Sequence, residues 1–317
     1  MEFTTLGRTG LSVSVAGLGG GGHSRLGQTQ GKSRAESIAV VHAALDLGIN
    51  FIDTADRYGT ESIIGEALSG RRDTVILGTK THIMSPPFST DVPYSTGAEI
   101  TGRLEASLRE LRTDYVDIFH LHGVEAHQYD HCVQTVLPVL ERLRDQGKIR
   151  FLGITERFIA DTGHAMLARA MPDGVFDVAM LGFNMLNPSA RRRVLPATIR
   201  NRVGTLCMFA VRRGLTREDN VLEQLRLGMS QGQIAPSVLA EGSPLAFLLE
   251  DGVARTLTEA AYRFCRHEAG IDVVLTGTGN IGHLRQNVAD ITKPPLPGPA
   301  LERLEAIFGR VDTLSGN

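Results

Sequence analysis

The sequence predicts an α/β fold in which a parallel sheet closes into a (β/α)8 TIM barrel. Short apolar runs alternate with longer segments of helical periodicity, which is the pattern of successive βα units. Eight such units close naturally into a barrel, because crossovers are right-handed and each strand needs a helix outside it. Since barrels of this kind routinely reach this size, we interpret the 317 residues as one domain, residues 1–317.

The predicted strands are short apolar runs bounded by turn-forming or polar residues. In chain order they are Val13–Leu18, Asn50–Asp53, Thr74–Gly78, Val116–Leu121, Phe151–Ile154, Val178–Leu181, Thr205–Phe209 and Val273–Leu275.

The segments between the strands carry helix start and stop signals. Ser33 and Glu36 have the spacing of a capping box, and Gly48 supplies a stop, so a helix is expected between them. The same reasoning predicts further helices over Gly97–Leu111, Cys132–Gln146, Thr258–His267 and Ala300–Val311. The proline-rich segment Lys293–Pro299 should be a linker to the last of these.

Two segments interrupt the alternation and are predicted to be loops or insertions. They are Met84–Thr96, which contains three prolines, and the long interval Arg212–Glu259. In a barrel, elaborated βα loops shape the substrate pocket, although an insertion without a ligand role fits the sequence equally well.

Composition and charge exclude several classes of protein. The net charge of -2 and pI near 6.6 give no electrostatic reason to expect nucleic acid or an anionic membrane as partner. No apolar run approaches the ~20 residues of a membrane helix, and the N-terminus lacks the pattern of a signal peptide, so a cytoplasmic location is expected. The three cysteines are scattered and should be reduced thiols rather than a disulfide framework or a zinc site.

Four potentially reactive side chains follow three consecutive predicted strands. Asp53 and Tyr58 follow the second strand, Lys80 the third and His122 the fourth. In a barrel these strand ends converge on one face. Each residue alone has a structural explanation: a helix cap, a packed ring, a solvated cation or a buried core histidine.

Together the four residues suggest proton-transfer chemistry. Lys80, paired with Asp53 and directed at Tyr58, would stabilise the phenolate and lower the pKa of Tyr58, while His122 would orient or polarise a carbonyl oxygen. An aldolase or isomerase that uses Lys80 as a Schiff-base amine is an alternative.

Five segments extend this pattern from residue 6 to residue 154. They are Leu6–Ser14, Leu47–Gly59, Ile76–Lys80, Asp114–His122 and Gly147–Ile154. With these segments the sequence resembles the aldo-keto reductase superfamily. The resemblance implies an N-terminal β-hairpin, a (β/α)8 barrel and a catalytic tetrad of Asp53, Tyr58, Lys80 and His122. It also implies direct hydride transfer between a nicotinamide cofactor and the substrate, with Tyr58 as general acid or base and no metal.

The resemblance implies NADP as cofactor, with NAD possible. The candidate cofactor-binding residues are Gly19, Gly20, Thr155, Glu156, Met208, Phe209, Arg212, Gly277, Thr278, Gly279, His283 and Asn287. Small residues at Gly19 to Gly22 would let a ligand approach the backbone, although a flexible loop explains the run as well. The loop from Gly277 to Gly279 would hold phosphate through backbone amides. Arg212 would bind a diphosphate or an acidic substrate group, unless it is simply solvated.

Three positions depart from the family pattern. Glu156 stands where the family has an asparagine amide, Met180 replaces a glutamine, and Gly279 lies where a basic residue often clamps the 2'-phosphate. These departures motivate an alternative function, a cofactor-binding sensor or scaffold with little catalytic activity.

The substrate is expected to be a small polar aldehyde, ketone or sugar. The chain has no tryptophan, and Gly123 follows His122 where many relatives carry a large aromatic residue, so no flat apolar wall is evident. His120 faces the same side of its strand as His122, but lies deeper in the barrel, so we assign it packing and hydrogen bonding rather than catalysis.

Overall fold

The structure, a computed structural model, describes residues 1–89, 92–239, 243–249 and 252–317. Its strands are β1 (Phe3–Thr5), β2 (Ser12–Ser14), β3 (Ala16–Gly19), β4 (Phe51–Asp53), β5 (Ile76–Thr81), β6 (Val116–Val124), β7 (Ile149–Glu156), β8 (Val178–Gly182), β9 (Gly204–Met208) and β10 (Val273–Thr276). The strands β3 to β10 form a closed parallel barrel in chain order, and β1 and β2 form a separate antiparallel pair. This arrangement confirms the predicted (β/α)8 barrel with an N-terminal hairpin.

Each barrel strand is followed by one or more helices. They are α1 (Arg34–Asp46), α2 (Glu61–Ala67), α3 (Gly97–Leu111), α4 (Tyr129–His131), α5 (Leu137–Asp145), α6 (Ala165–Asp173), α7 (Ala190–Arg193), α8 (Leu195–Asn201), α9 (Glu218–Ser230), α10 (Leu257–Arg266), α11 (Ile281–Ile291) and α12 (Gly298–Phe308). A π-helical turn, Cys132–Val136, joins α4 to α5 within the helix predicted there. None of the helices in the described ranges is long and apolar enough to cross a membrane.

Local signals set the bounds of the best-predicted helices. The capping box at the start of α1 forms as expected, with Ser33 accepting from the Glu36 backbone and Glu36 accepting from the Ser33 backbone. Helix α3 has the predicted bounds and its own capping box. Helix α12 starts two residues before the predicted Ala300, because Pro299 falls in its first turn, where a proline loses no hydrogen bond.

The predicted first strand, Val13–Leu18, is wrong in its extent, because Val15 separates two different strands, β2 and β3. Ser14 belongs to the hairpin, where it pairs with Phe3, and the barrel strand β3 begins at Ala16. A hydrogen bond from the Ser14 hydroxyl to the Ala16 carbonyl oxygen, at 2.7 Å, stabilises this interruption between the two strands. The N-terminal hairpin packs buried apolar side chains against the barrel: Leu6 from its loop and Val13 from β2 join the interior cluster of Phe51, Ile118, Val178, Leu206 and Val273.

The long interval Arg212–Glu259 is not a simple loop. It contains α9, a helix of 13 residues that buries Val221, Leu225 and Gly228. These positions recur at helical spacing, which explains why this part of the interval folds. The predicted loops also include positions 90–91, 240–242 and 250–251, which lie outside the described residues.

Candidate active site

A buried ion pair lies where β4 and β5 end at the carboxyl side of the barrel. Asp53 is the last residue of β4, and Lys80 is the penultimate residue of β5. The Lys80 ammonium donates to both carboxylate oxygens of Asp53 at 2.5 Å and to the Thr54 carbonyl oxygen at 2.8 Å. All three N–H groups of Lys80 are therefore used, which disfavours the amine as a Schiff-base nucleophile.

Tyr58 lies beside this pair in the loop after β4. Its ring centroid is 5.2 Å from the Lys80 ammonium, and its hydroxyl is 3.3 Å from His122 Nε2. Burial raises the pKa of Tyr58 above its usual 10, although the Lys80 charge acts in the opposite direction. The expected lowering of the Tyr58 pKa is thus outweighed by burial in this state of the protein, and the phenol keeps its proton at neutral pH.

His122 is neutral, because burial holds its pKa well below 6.5. Its Nδ1 atom is buried without a hydrogen-bond partner among the described residues, so a proton on Nδ1 would be a buried unpaired donor. A proton on Nε2 instead points at the Tyr58 hydroxyl. The structure therefore favours the Nε2–H tautomer, which presents two donors, from Tyr58 and His122, to a shared oxygen atom.

The loop that follows β3 packs against the ring of Tyr58. A Cβ atom added to Gly21 would lie 2.3 Å from Tyr58 Cε2, so the ring rests directly on the glycine backbone. Gln28 ties the same loop to the Tyr58 loop, because its side-chain amide donates to the Gly59 carbonyl oxygen at 3.1 Å. The glycine run after β3 is thus a close-approach site for a protein side chain at Gly21.

Replacing Gly21 with alanine should displace the Tyr58 ring, because a Cβ contact of 2.3 Å cannot be accommodated. We expect kcat of the predicted carbonyl reduction to fall about 100-fold at saturating cofactor, the cost of misplacing the predicted proton donor. Gly102→Ala is the matched control, since a Cβ there meets nothing within 4 Å and should leave kcat unchanged. Wild-type kcat in the Gly21→Ala variant would contradict the supporting role of Gly21.

His120 lies in the barrel interior, paired in register with Lys80. Its side chain is fully buried over Gly153, where an added Cβ would come 2.1 Å from His120 Nδ1. Neither ring nitrogen has a hydrogen-bond partner in the part of the chain that the structure describes. The structure thus shows packing for His120, but not the hydrogen bonding expected of it.

Comparison with known proteins agrees with this geometry. The sequence profile of the Aldo/keto reductase family matches residues 17–307. The chain belongs to the aldo/keto reductase family. It is therefore an oxidoreductase by family, and the sequence-based assignment to the superfamily is confirmed.

This aldo/keto reductase is similar to relatives and solved structures over about half to nearly all of its length. L-galactose dehydrogenase of Arabidopsis thaliana is 29% identical over 99% of this chain and 97% of its own. A 6-dehydroglucose reductase of Novosphingobium aromaticivorans is 34% identical over 54% of this chain and 59% of its own. The aldo-keto reductase AKR11C1 from Bacillus halodurans, in its holo form, has a TM-score of 0.73 at 23% identity, covering 96% of this chain and 95% of that one. The structural likeness shows the shared fold.

The predicted cofactor-binding glycines lie at or just after the ends of β3 and β10, which are adjacent in the barrel. An added Cβ on Gly277 would lie 3.1 Å from the Gly19 carbonyl oxygen, so these two candidates are neighbours. Gly279 instead packs on Gly27, where a Cβ would come 2.3 Å from the backbone. Asn287 donates to the Thr276 hydroxyl at 2.9 Å, and Thr278 is buried, whereas His283 is exposed.

Arg212 and Phe209 form a second part of the predicted cofactor set, beyond β9. The Arg212 guanidinium lies 4.1 Å from the centroid of the Phe209 ring. Its Nε atom donates to the Asn317 side chain at 2.7 Å, and no ion pair with Arg212 forms within the described ranges. Burial lowers the pKa of Arg212, because the charged guanidinium is poorly solvated there. A bound anion would compensate this charge. A half-buried cation without a counter-ion fits an anionic cofactor.

Glu156, a predicted cofactor-binding residue, forms contacts with other groups of the protein. Its carboxylate lies 3.0 Å from His164 Nδ1 through both oxygens and accepts from the Gly182 backbone at 2.8 Å. The side chains of Glu156 and His164 are both fully buried. Thr155 accepts from the Gly123 backbone at 2.7 Å. Glu156 therefore connects β7 to His164 and to the Gly182 backbone. Its predicted contact with the cofactor stays a prediction.

Two side chains near His122 were not predicted from the sequence. His82 stacks on His122, and Phe88 packs its edge against His82 with ring centroids 5.0 Å apart. A Cβ on Gly123 would come 3.1 Å from the Phe88 ring, so an aromatic side chain from the loop after β5 stands beside this glycine. His82 lies two residues beyond Lys80, and side chains two residues apart in a strand point to the same side of the sheet. This spacing could have indicated His82 from the sequence. Phe88 lies in a proline-rich loop and carries no such signal.

Proposed function

We propose that this chain transfers hydride between NADP and a small polar aldehyde, ketone or sugar, with Tyr58 as general acid or base. The observation that carries the proposal is the Tyr58 hydroxyl, held 3.3 Å from His122 Nε2 and beside the buried Lys80–Asp53 pair. Two proton donors and a buried cation converge there, which is what a carbonyl oxygen needs as it gains negative charge.

In reduction, the substrate oxygen would lie between Tyr58 and His122. The His122 Nε2–H group polarises the carbonyl, and the Tyr58 hydroxyl gives its proton to the oxygen. Lys80 stabilises the phenolate that remains, and Asp53 compensates the lysine charge in the barrel interior. When bound, the nicotinamide supplies the hydride in this direction and accepts it in the other. For alcohol oxidation Tyr58 acts as the base, after its own proton has been lost.

The residues at the mouth of the barrel support an anionic dinucleotide as cofactor. Arg212 has no counter-ion within the described ranges, and the first turn of α11 follows the small residues of the Gly277–Gly279 loop. The Asn280 side chain accepts from the Gly282 and His283 amides at this helix start, so phosphate would bind through the backbone amides of the Gly277–Gly279 loop. Since Gly279 packs on Gly27 and carries no charge, the choice of NADP over NAD rests on the family rather than on a basic residue at that position.

The relatives support a sugar or another small polar substrate. The names of two of them, L-galactose dehydrogenase and 6-dehydroglucose reductase, refer to sugar chemistry. In this chain the wall of the site combines the polar ring of His122 with the aromatic ring of Phe88, which stands beside Gly123. A mixed polar and aromatic wall suits a hydroxylated substrate, whose ring faces are apolar and whose edges form hydrogen bonds.

A cofactor titration followed by a substrate panel tests this proposal. The purified protein is titrated with NADPH and with NADH, and binding is followed by the fluorescence of the reduced nicotinamide. Aldoses, small aldehydes and ketones are then offered as substrates, together with sugar alcohols and lactols for the reverse reaction. We expect tighter binding of NADPH and turnover on the polar carbonyls. Binding without turnover on any compound would instead support the sensor or scaffold alternative, and absence of binding would overturn both.

A further inference from the structure

His82 lies against the proposed catalytic histidine. It directly follows β5, two residues beyond Lys80, and its side chain is 7% exposed. Its ring stacks on the ring of His122 with centroids 4.1 Å apart and an angle of 14° between planes. This contact covers one face of the His122 imidazole.

His122 lacks the hydrogen bond that commonly orients a functional histidine. In such residues the second ring nitrogen usually donates to a carboxylate or a carbonyl, which fixes both tautomer and ring plane. In this protein Nδ1 of His122 is buried and has no partner in the described part of the chain. Some other contact must therefore hold the ring so that Nε2 faces Tyr58.

His82 is itself held in place on two sides. Phe88 packs nearly perpendicular to it, at 84°, and the His82 ring hydrogen-bonds to the backbone of His122. Burial lowers the pKa of His82 to about 4, so both rings of the stack are neutral near pH 7 and do not repel each other. A flat, neutral and immobilised ring can restrict rotation of the His122 ring about its Cβ–Cγ bond.

We propose that His82 is a positioning residue whose ring face fixes the plane of His122 and keeps Nε2 directed at the Tyr58 hydroxyl. The role rests on the proposed function, in which His122 polarises the substrate carbonyl. His82 itself need not touch the substrate, because its effect passes through the stacked ring. The shape of the side chain should therefore matter more than its nitrogen atoms.

Two variants of His82 separate ring shape from ring chemistry. His82→Phe keeps a flat ring for the stack, whereas His82→Leu keeps an apolar side chain without a flat face. We expect His82→Phe to retain kcat within about threefold and His82→Leu to lower it about 10- to 100-fold, as for a misoriented catalytic group. The dissociation constant of NADPH should be unchanged in both, which also shows that both variants are folded. Equal losses of kcat in the two variants would overturn the proposal, as would wild-type kcat in His82→Leu.

A measurement without substrate tests the same inference independently. The tautomer of His122 is observed from the side-chain nitrogen and carbon-bound proton correlations of the 15N-labelled protein. We expect a single Nε2–H form of His122 in the wild type and in His82→Phe, and a mixture of tautomers or a broadened signal in His82→Leu. An unchanged single form in His82→Leu would overturn the positioning role. If the wild type turns over no substrate, the proposed function fails, while these signals still decide the role of His82.

Discussion

Replacing Tyr58 with phenylalanine should lower kcat by about 10²- to 10⁴-fold in either direction of the reaction, the usual contribution of a general acid or base. The variant keeps the ring that rests on Gly21 and removes only the hydroxyl beside His122. Cofactor affinity should therefore change little, and the loss should appear in kcat rather than in the dissociation constant of NADPH. Steady-state kinetics and a fluorescence titration on the same protein separate the two effects.

The pH dependence should follow the protonation state of Tyr58. Because burial raises the pKa of Tyr58 above 10, the phenol is protonated across the neutral range and ready to act as an acid. Reduction should thus be insensitive to Tyr58 ionisation near pH 7, whereas oxidation should accelerate as pH rises toward that pKa. Tyr58→Phe should abolish the alkaline rise.

Tyr129→Phe is the matched control for the loss of a phenolic hydroxyl. Tyr129 is also buried, and its hydroxyl donates to Asp173 at 2.9 Å outside the proposed site. Its replacement should leave kcat unchanged. Near-normal turnover in Tyr58→Phe would remove Tyr58 from the mechanism, whatever the behaviour of the control.

Local sequence signals predicted the elements that depend on local physics. Helix α3 begins and ends where its periodicity predicts, because that signal lies within its own 15 residues and the Thr96 cap directly precedes them. Strand β7 was predicted two residues short at each end, since only its apolar centre differs from a loop in composition. The tetrad side chains also followed from local pattern, because parallel strands bring their carboxyl ends to one face.

Contacts between distant segments were beyond local signals. The break between β2 and β3 depends on the pairing of Phe3 with Ser14, which no short window shows. The Glu156 contact depends on His164, which precedes α6 and has a left-handed backbone conformation, with φ of 61°. The Phe88 wall likewise depends on a loop folding back onto Gly123. Sequence reasoning therefore predicted the placement of the four tetrad side chains better than the side chains that surround them.

Removing the charge of Lys80 should give the largest loss of stability. Lys80 is 1% exposed and Asp53 is 4% exposed, so Lys80→Met leaves a buried carboxylate without its cation. Burial already raises the pKa of Asp53 despite the lysine, and the shift should grow in the variant. Breaking a buried pair by removing one partner costs about 3–5 kcal/mol. We expect a decrease of that size in the free energy of unfolding at pH 7.5, measured by urea denaturation.

The sign of the pH effect identifies the cause. A carboxyl group whose folded-state pKa is raised stabilises the fold below its unfolded pKa, and this stabilisation is lost as pH rises through the folded value. The deficit of Lys80→Met should therefore shrink as pH is lowered from 7.5 toward the unfolded pKa of Asp53. The double variant Asp53→Asn with Lys80→Met carries no buried charge and should be more stable than Lys80→Met at pH 7.5.

Lys148→Met provides the surface counterpart of the Lys80 variant. Lys148 forms an ion pair with Glu105, and the two side chains are 31% and 37% exposed. Because water solvates the remaining carboxylate, this variant should lose no more than about 1 kcal/mol. Equal decreases in the free energy of unfolding for Lys80→Met and Lys148→Met would show that burial does not increase the contribution of the Asp53–Lys80 pair to stability. A Lys80→Met deficit that stays constant with pH would likewise locate its cause outside Asp53. The expected contrast ties the proposed catalysis to stability, since the lysine proposed to stabilise the Tyr58 phenolate is also the buried ion-pair partner of Asp53.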